Sequence, residues 1–306
     1  MLYFVVNPVS RSGRGIQFWE KKIEPVLKKR NVDYKLYLSK ERGDTTCIIE
    51  HILSENSGEI TAVVLGGDGT LDDAVQGISD FDRFTLGYIP TGSSNDFARD
   101  MNISHSVKRN LERILEHPEP KCIDIGEVRF GEKVKKVVVS CGIGFDAAVC
   151  QKTMNSRMKK VLNKIGLGKL IYLQIALNQI FNAPKCDGVM EFDDGRSIPL
   201  PHILFCAIML HRYEGGGFKF CPNANCTDGI LDVCAVKDFS PWRTLVAIPS
   251  AFFGGHTRFK GIDTYTCASL KINLTSPLWL HTDGEVSYKT DEISVRTFEK
   301  KLRVLL

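Results

Sequence analysis

Between a β-branched run and an amphipathic stretch lies Gly66-Gly67-Asp68-Gly69-Thr70. Three glycines let a backbone approach a ligand closely and turn its amides inward, and a helix N-terminus beyond them favours phosphate. Asp68 is the anomaly, because a carboxylate in a phosphate cradle repels its ligand unless a cation lies between them. Mg²⁺, bound through waters and phosphate oxygens, answers that requirement. The motif is not a Walker A loop, since no Gly-Lys-Ser/Thr follows, and it is not the dinucleotide GxGxxG fingerprint. A second loop, Pro90-Thr91-Gly92-Ser93-Ser94-Asn95-Asp96-Phe97-Ala98-Arg99, offers hydroxyls and Asn95 as donors to phosphate or sugar. Asn95 or Asp96 would serve equally as a helix cap. A third is Asn7-Pro8-Val9-Ser10-Arg11-Ser12-Gly13-Arg14-Gly15. Each loop alone is as readily a turn as a site, but three at one edge of one sheet are better explained by a shared ligand.

The elements that would position these loops are legible in the hydrophobic pattern. Leu2 to Val6 reads as a buried strand, followed by Ile16, Trp19, Ile23, Val26 and Leu27 at helical spacing. Asp33 to Leu38 alternates like a strand, and Ile48, Ile49, Ile52 and Leu53 line a helix face. Thr61 to Leu65 is another strand, then Leu71, Ala74, Val75 and Ile78 recur at i, i+3, i+4, i+7. Leu86 to Ile89 repeats the strand signal, and Ser106 caps a helix carrying Val107, Leu111, Ile114 and Leu115. Strand-helix alternation predicts a parallel sheet covered by helices, with ligands beyond the carboxyl ends of the strands.

After Pro118 and Pro120 the texture changes. Cys122 to Phe130 and Val134 to Cys141 flank Gly131-Glu132-Lys133 like a hairpin, and Val189 to Phe192 precedes an Asp193-Asp194-Gly195 turn. Ile203 to Leu210, Ile230 to Lys237, Tyr265 to Leu274 and Glu292 to Thr297 add strand signals. This half reads as an antiparallel β domain, with helices near 152–182 and 241–253, the latter opened by Ser240-Pro241. Phe252, Phe253 and His256 beside Gly254-Gly255 read as core packing rather than as an acyl pocket.

Composition bounds the answer without choosing it. With 306 residues, two domains are expected, and 40 Lys+Arg against 36 Asp+Glu gives no reason to expect a nucleic-acid binder. The ten cysteines are scattered, with no CxxC pair, and most read as reduced core hydrophobes of a cytoplasmic protein. The histidines suggest no metal site. Six apolar residues before Asn7 are too few for a signal peptide, and Leu170 to Phe181 is interrupted by Gln174, Asn178 and Gln179, so no bilayer-spanning segment is expected.

The motif Gly66 to Thr70 together with Pro90 to Arg99 closely resembles the diacylglycerol kinase catalytic-domain family, which includes bacterial soluble lipid kinases and sphingosine and ceramide kinases. The likeness runs on through Asp124-Ile125-Gly126, Gly142-Ile143-Gly144-Phe145-Asp146-Ala147, Pro222-Asn223-Ala224, Asp228-Gly229-Ile230-Leu231-Asp232-Val233 and Asp283-Gly284-Glu285. The resemblance implies an N-terminal, doubly wound α/β nucleotide domain related to NAD kinases, covering 1–121 with a returning segment of about 291–306. It implies a C-terminal antiparallel β-sandwich-like, lipid-binding domain over 122–290. It implies ATP and Mg²⁺, with ATP against Asn7, Ser12, Gly13, Ser39, Gly66, Gly67, Asp68, Gly69, Thr70, Ser93 and Asn95. Ser39 and Ser93 stand where the family has Thr, which keeps the hydroxyl; Asp72-Asp73 replaces Asn-Glu and adds negative charge near the nucleotide. Glu285 becomes the general base, with Asp68 a rival for that part. Asp96 and Asp124, with Arg99, would join Asp68 in a water-mediated Mg²⁺ network. A structural Mg²⁺ would be held by Asp228 and the carbonyls of Asn225 and Ile230, positions that otherwise read as a β-turn.

The implied reaction is transfer of the ATP γ-phosphoryl group to a hydroxyl of diacylglycerol or a related lipid, as in phospholipid biosynthesis. The alternatives are a kinase of a soluble acceptor, as NAD kinases are, and a non-catalytic nucleotide- or lipid-binding regulator. Between Ala147 and Cys186 there is no acidic residue, yet Lys152, Arg157, Lys159, Lys160, Lys164, Lys169 and Lys185 occur among apolar side chains. Such a stretch suits transient contact with an anionic membrane, and equally suits a solvated lysine face over packed apolar residues. A homodimer is left open.

Overall fold

The computed structural model describes residues 1–117, 119–155, 175 and 177–306, with the side chains of 11, 12, 153–155 and 287 excepted. Most of the basic 152–185 stretch therefore lies outside the described residues. Two compact units emerge. The first comprises 1–125, 215–217 and 298–306, and the second comprises 126–214 and 218–297.

In the first unit, β1 (Leu2–Val6), β2 (Tyr34–Leu38), β3 (Ile60–Gly66) and β4 (Phe84–Pro90) lie parallel in one sheet with β16 (Leu302–Leu305) and β5 (Lys121–Ile123), in the order β2-β1-β3-β4-β16-β5. β5 alone runs antiparallel, against β16. β3 and β4 are buried along their whole length save Thr61, as central parallel strands with helices on both faces must be. After α1 (Ser10–Gly13), α2 (Gly15–Phe18) and α3 (Glu24–Lys29), helices α4 (Asp44–Glu55), α5 (Asp68–Gln76) and α7 (Val107–Glu116) supply the covering stripes. Ser106 accepts the Arg109 amide and caps α7 as its sequence predicts. Phe4, Trp19, Ile23, Val63, Ile89, Leu111 and Leu305 meet in one core cluster.

The second unit is built on a larger antiparallel sheet, β13-β12-β11-β8-β14-β15-β6-β7, with the β9–β10 hairpin joined to β14. β6 (Gly126–Phe130) and β7 (Lys133–Val137) turn at Gly131-Glu132, with Phe130 opposite Lys133. β8 (Ser140–Gly144) leads into α8 (Phe145–Asn155); β11 (Phe205–Met209), β12 (Leu231–Val236) and β13 (Ile262–Cys267) form one side. β9 (Cys186–Phe192) and β10 (Ser197–Ile203) form the hairpin. β14 (Ser269–Thr282) and β15 (Glu285–Thr297) are long enough to serve two neighbours, and β14 pairs with β9 near its start and with β8 near its end. α9 (Pro241–Ala251) follows the Ser240 cap.

Three expectations shift. Lys121–Ile123 pairs into the first sheet, so the first boundary falls after 125 rather than 121. β15 continues to Thr297 against β6, so the returning segment begins at 298 rather than 291. The run from Tyr265 to Leu274 is two strands broken at Ala268, not one. Seven of the ten cysteines are buried and all are free, in keeping with their reading as core side chains. Among the described residues no helix is long and apolar enough to cross a membrane.

Candidate functional site

In the first unit the loops following β1, β2, β3 and β4 share the carboxyl edge of the parallel strands, the edge at which such sheets bind ligands. They are tied to one another. Asn7 Nδ2 donates to Thr70 Oγ1 at 3.2 Å, the Ser10 and Thr91 hydroxyls meet at 2.9 Å, and the Thr91 amide donates to the Gly66 carbonyl at 2.7 Å. Ser39 is buried, and its amide donates to the Val6 carbonyl at 3.1 Å. Gly92 is required where it stands: a Cβ there would fall 2.5 Å from Gly67 Cα, so two glycine backbones pass in contact. Gly13, Gly69 and Ser93 are exposed along this edge. Ser12 lies in a helical turn, Ser10–Gly13, and its side chain is outside the described residues.

Asp68 opens α5. Its Oδ2 accepts the Asp96 amide at 3.3 Å, while Oδ1 is buried with no hydrogen-bond partner. Burial first, and the nearby charge of Asp96 second, raise the Asp68 carboxyl to about 6, although the amides of Asp96, Phe97 and Asn95 pull the other way. Asp96 is buried at the start of α6 (Asp96–Asp100), where its Oδ2 accepts the Gly216 amide at 2.7 Å and its Oδ1 lies 3.5 Å from Arg99 Nη1. A buried, unpartnered carboxylate oxygen beside a second carboxylate is a place for a hard cation, and the residues present fit Mg²⁺. Asp124, expected in the same network, has an ammonium partner: Lys301 Nζ stands 2.6 Å from its Oδ1. The extra negative charge at 72–73 is also absorbed locally. Gln76 donates to buried Asp72 at 2.7 Å, and Asp73 accepts the Gly43 amide at 3.1 Å, which ties down the loop after β2.

In the second unit the turn Asp283-Gly284 joins β14 to β15. The Asp283 carboxylate accepts three successive amides, from Val138, Val139 and Ser140, at 2.8, 2.7 and 3.0 Å. Asp283 is thereby a structural clamp, and it presents Glu285, half-buried, in a crevice with Phe130, Lys135, Leu280, Thr282 and Tyr288. A larger cleft of about 610 Å³ lies across the sheet between Glu127, Arg129, Lys271 and Arg296, and Glu285 does not line it. Behind the turn, fully buried His281 places Nε2 3.0 Å from both Asp146 Oδ2 and Glu214 Oε1. Burial alone would lower the His281 pKa; the charges and hydrogen bonds of Glu214 and Asp146 outweigh it and raise it well above the usual imidazole value. Gly142, opposite His281 in the ladder, makes room for this group, since a Cβ there would lie 2.3 Å from Asp146 Oδ2.

The expected structural metal position is a turn. Asp228 Oδ1 accepts the Ile230 amide at 3.0 Å, and Thr227 bonds Asn225 at 2.9 Å. Burial and then the charge of Asp228 raise Asp232 to about 6.

Sequence reasoning missed two groups. Gly215–Gly217 joins the first unit far from it in sequence, and the signal was the glycine run itself after Glu214. The Asp146–Glu214–His281 cluster assembles from three distant segments, and no local spacing marks it.

Two family models match this chain: diacylglycerol kinase catalytic domain over residues 1–128, and YegS C-terminal NAD kinase beta sandwich-like domain over residues 138–305. A Bacillus subtilis (strain 168) protein named "Putative lipid kinase YtlR" is 25% identical over 295 residues, covering 93% of this chain and 93% of that protein. A diacylglycerol kinase of the same organism is 26% identical over 286 residues, covering 92% and 88%. A crystal structure of a "putative diacylglycerol kinase" from Bacillus anthracis str. Sterne superposes with a TM-score of 0.77 at 23% identity, covering 99% of this chain and 96% of that one.

Proposed function

From its membership of the diacylglycerol kinase catalytic-domain family, to which the chain belongs, we propose that it transfers the γ-phosphoryl group of ATP to the hydroxyl of diacylglycerol or a close relative. Being a member, it is an ATP-dependent phosphotransferase with a lipid acceptor. The observation that carries the phosphoryl-transfer reading is the buried, unpartnered Oδ1 of Asp68 at the head of α5, between loops of phosphate-binding character, and the acceptor is read from relatives named diacylglycerol kinase.

Each group then has a part. The loops holding Asn7, Ser12 and Gly13, Ser39, Gly66 to Thr70, and Ser93 and Asn95 orient the nucleotide phosphates with amides and hydroxyls. Asp68 and Asp96 would hold Mg²⁺, which when bound neutralises phosphate charge; Asp124, through Lys301, braces that side of the unit. Glu285 takes the proton of the acceptor hydroxyl as its oxygen bonds to the γ-phosphorus, the bond to the bridging oxygen breaks and ADP leaves. Asp228, with the carbonyls of Asn225 and Ile230, would hold a second, structural Mg²⁺ that offsets the repulsion between Asp228 and Asp232.

The test is incubation with radiolabelled ATP, Mg²⁺ and separate mixed micelles of diacylglycerol, sphingosine and ceramide, with NAD as the soluble acceptor. Label in phosphatidic acid is expected. Label in NAD, or in a sphingoid lipid alone, would overturn the assignment, and no labelled product with ATP bound would point to a regulator.

A further inference from the structure

Helix α9 is inside out. Its buried residues are small, Thr244, Ala247 and Ala251 at i, i+3 and i+7. Leu245 and Ile248 are half-buried, but other large apolar side chains face outward: Trp242 is 71% exposed, Val246 65%, and Phe253 just beyond the helix 86%. These recur at i, i+4 and i+11 on one face, with Pro249 between them also exposed. A helix serving only the interior of a soluble domain shows the opposite pattern. The sequence expectation of core packing therefore fails for Phe253, and only His256 of that group is buried. The patch extends to a neighbouring helical segment, 177–182, where Phe181, 50% exposed, meets the Trp242 ring at 5.6 Å.

The rim of the patch is cationic. No Asp or Glu occurs between Asp238 and Asp263, whereas Arg243, Arg258 and Lys260 do. Arg243 lies over the Phe239 ring at 4.3 Å and donates to the Lys260 carbonyl. Lys185 reaches the Phe239 carbonyl at 2.7 Å, so its ammonium joins the same end of the helix. Aromatic side chains exposed beside lysines and arginines match the interfacial layer of a bilayer with anionic headgroups.

We propose that the exposed face of α9, with Phe181 and the Arg243–Lys260–Lys185 rim, is the surface by which this kinase docks on an anionic membrane. The apolar side chains enter the headgroup boundary and the cations meet lipid phosphates. The proposal rests on the lipid-kinase reading, because an acceptor embedded in a bilayer must be met there. Phe181 and Lys185 belong to the 152–185 stretch singled out in the sequence, most of which lies outside the described residues.

The experiment uses the full chain and vesicles of equimolar phosphatidylglycerol and phosphatidylcholine. Trp19 is buried and Trp279 half-buried, so Trp242 is the tryptophan able to report insertion. Its emission should shift to the blue on adding these vesicles, far less with phosphatidylcholine alone, and the shift should vanish in Trp242→Phe while sedimentation with vesicles persists. The triple variant Trp242→Ser, Val246→Ser, Phe253→Ser should lose about tenfold or more in vesicle partitioning. It should keep its thermal midpoint and its activity on dioctanoylglycerol in detergent micelles. Undiminished vesicle binding by the triple variant would overturn the proposal, as would a dimer of the parent chain that the variant disperses. Vesicle binding without phosphorylation of any lipid would instead count against the kinase reading and leave the surface standing.

Discussion

Asp68 and Glu285 are both carboxylates set beside glycine turns, yet their surroundings differ, and so do the consequences of removing their charge. Asp68 has an oxygen sealed from solvent without a donor, which is tolerable only when a cation or a proton occupies it. Glu285 is half-buried at the start of a strand whose turn is fixed by Asp283. Glu285→Gln should therefore leave Mg²⁺-dependent ATP binding unchanged and lower turnover by about 10²–10⁴-fold, the usual range for a lost general base. Asp68→Asn should weaken Mg²⁺-dependent nucleotide binding itself. Equilibrium ATP binding and single-turnover phosphorylation, run on both variants, separate the two roles. Near-normal turnover in Glu285→Gln would remove it from the mechanism. Reversed phenotypes would make Asp68 the base.

At the scale of elements, the turn from Asn225 to Ile230 and the strand it feeds make a prediction with a definite sign in pH. Asp232 is raised to about 6 by burial and by Asp228, so the native state binds this proton more tightly than the unfolded chain does. Its contribution to stability is then fully present below the ordinary carboxylate pKa and is lost as pH rises toward and through 6. Without divalent cations, thermal unfolding of the wild type should lose more stability between pH 4 and 7 than Asp228→Asn does. Added Mg²⁺ should restore the wild type at pH 7 and do little for Asp228→Asn. Equal Mg²⁺ responses in the two proteins would remove the structural cation from this turn. The same element shows where sequence reading stops. The Asp-Gly dipeptide announces a turn, but that Asp232 is half-buried close enough to feel Asp228 is a fact of strand register. The parallel strands and their loops were legible because buried runs and amphipathic helices alternate with short connections. Sequence reading could not recover the cross-links between loops, such as Ser10 to Thr91, or the counter-ion that Lys301 gives Asp124. Each joins residues whose separation along the chain carries no periodic signal. Phe253 escapes sequence reading for a related reason: its side chain has the composition of a core, and only its exposure in the folded chain tells which side it faces.

At the scale of the whole molecule, the first unit closes only when the chain comes back to it. β16 sits between β4 and β5, so the sheet is continuous only with the last strand in place. The returning segment also brings Phe298 against the Phe81 ring at 5.5 Å and Lys301 to buried Asp124. Leu302, Val304 and Leu305 are all buried; at about 1.5–3 kcal/mol each, their loss amounts to about 5–9 kcal/mol. That is comparable to the whole stability of a typical domain, about 5–15 kcal/mol. Deletion also bares the β4 edge and leaves Asp124 without its ammonium. A chain ending at Thr297 should therefore fail to hold a folded nucleotide unit, even though every loop with phosphate-binding character, from Asn7 to Arg99, remains in it. Hydrogen exchange is the direct readout. Amides of β1, β3 and β4 should exchange at or near the unfolded rate in the truncated chain, while β11, β12 and β14, all within the second unit, keep their protection. A synthetic peptide of residues 298–306 added in trans should recover part of that protection. Full protection of β3 and β4 without the last nine residues would mean that the sheet's stability comes from β1 to β4 and their helices alone.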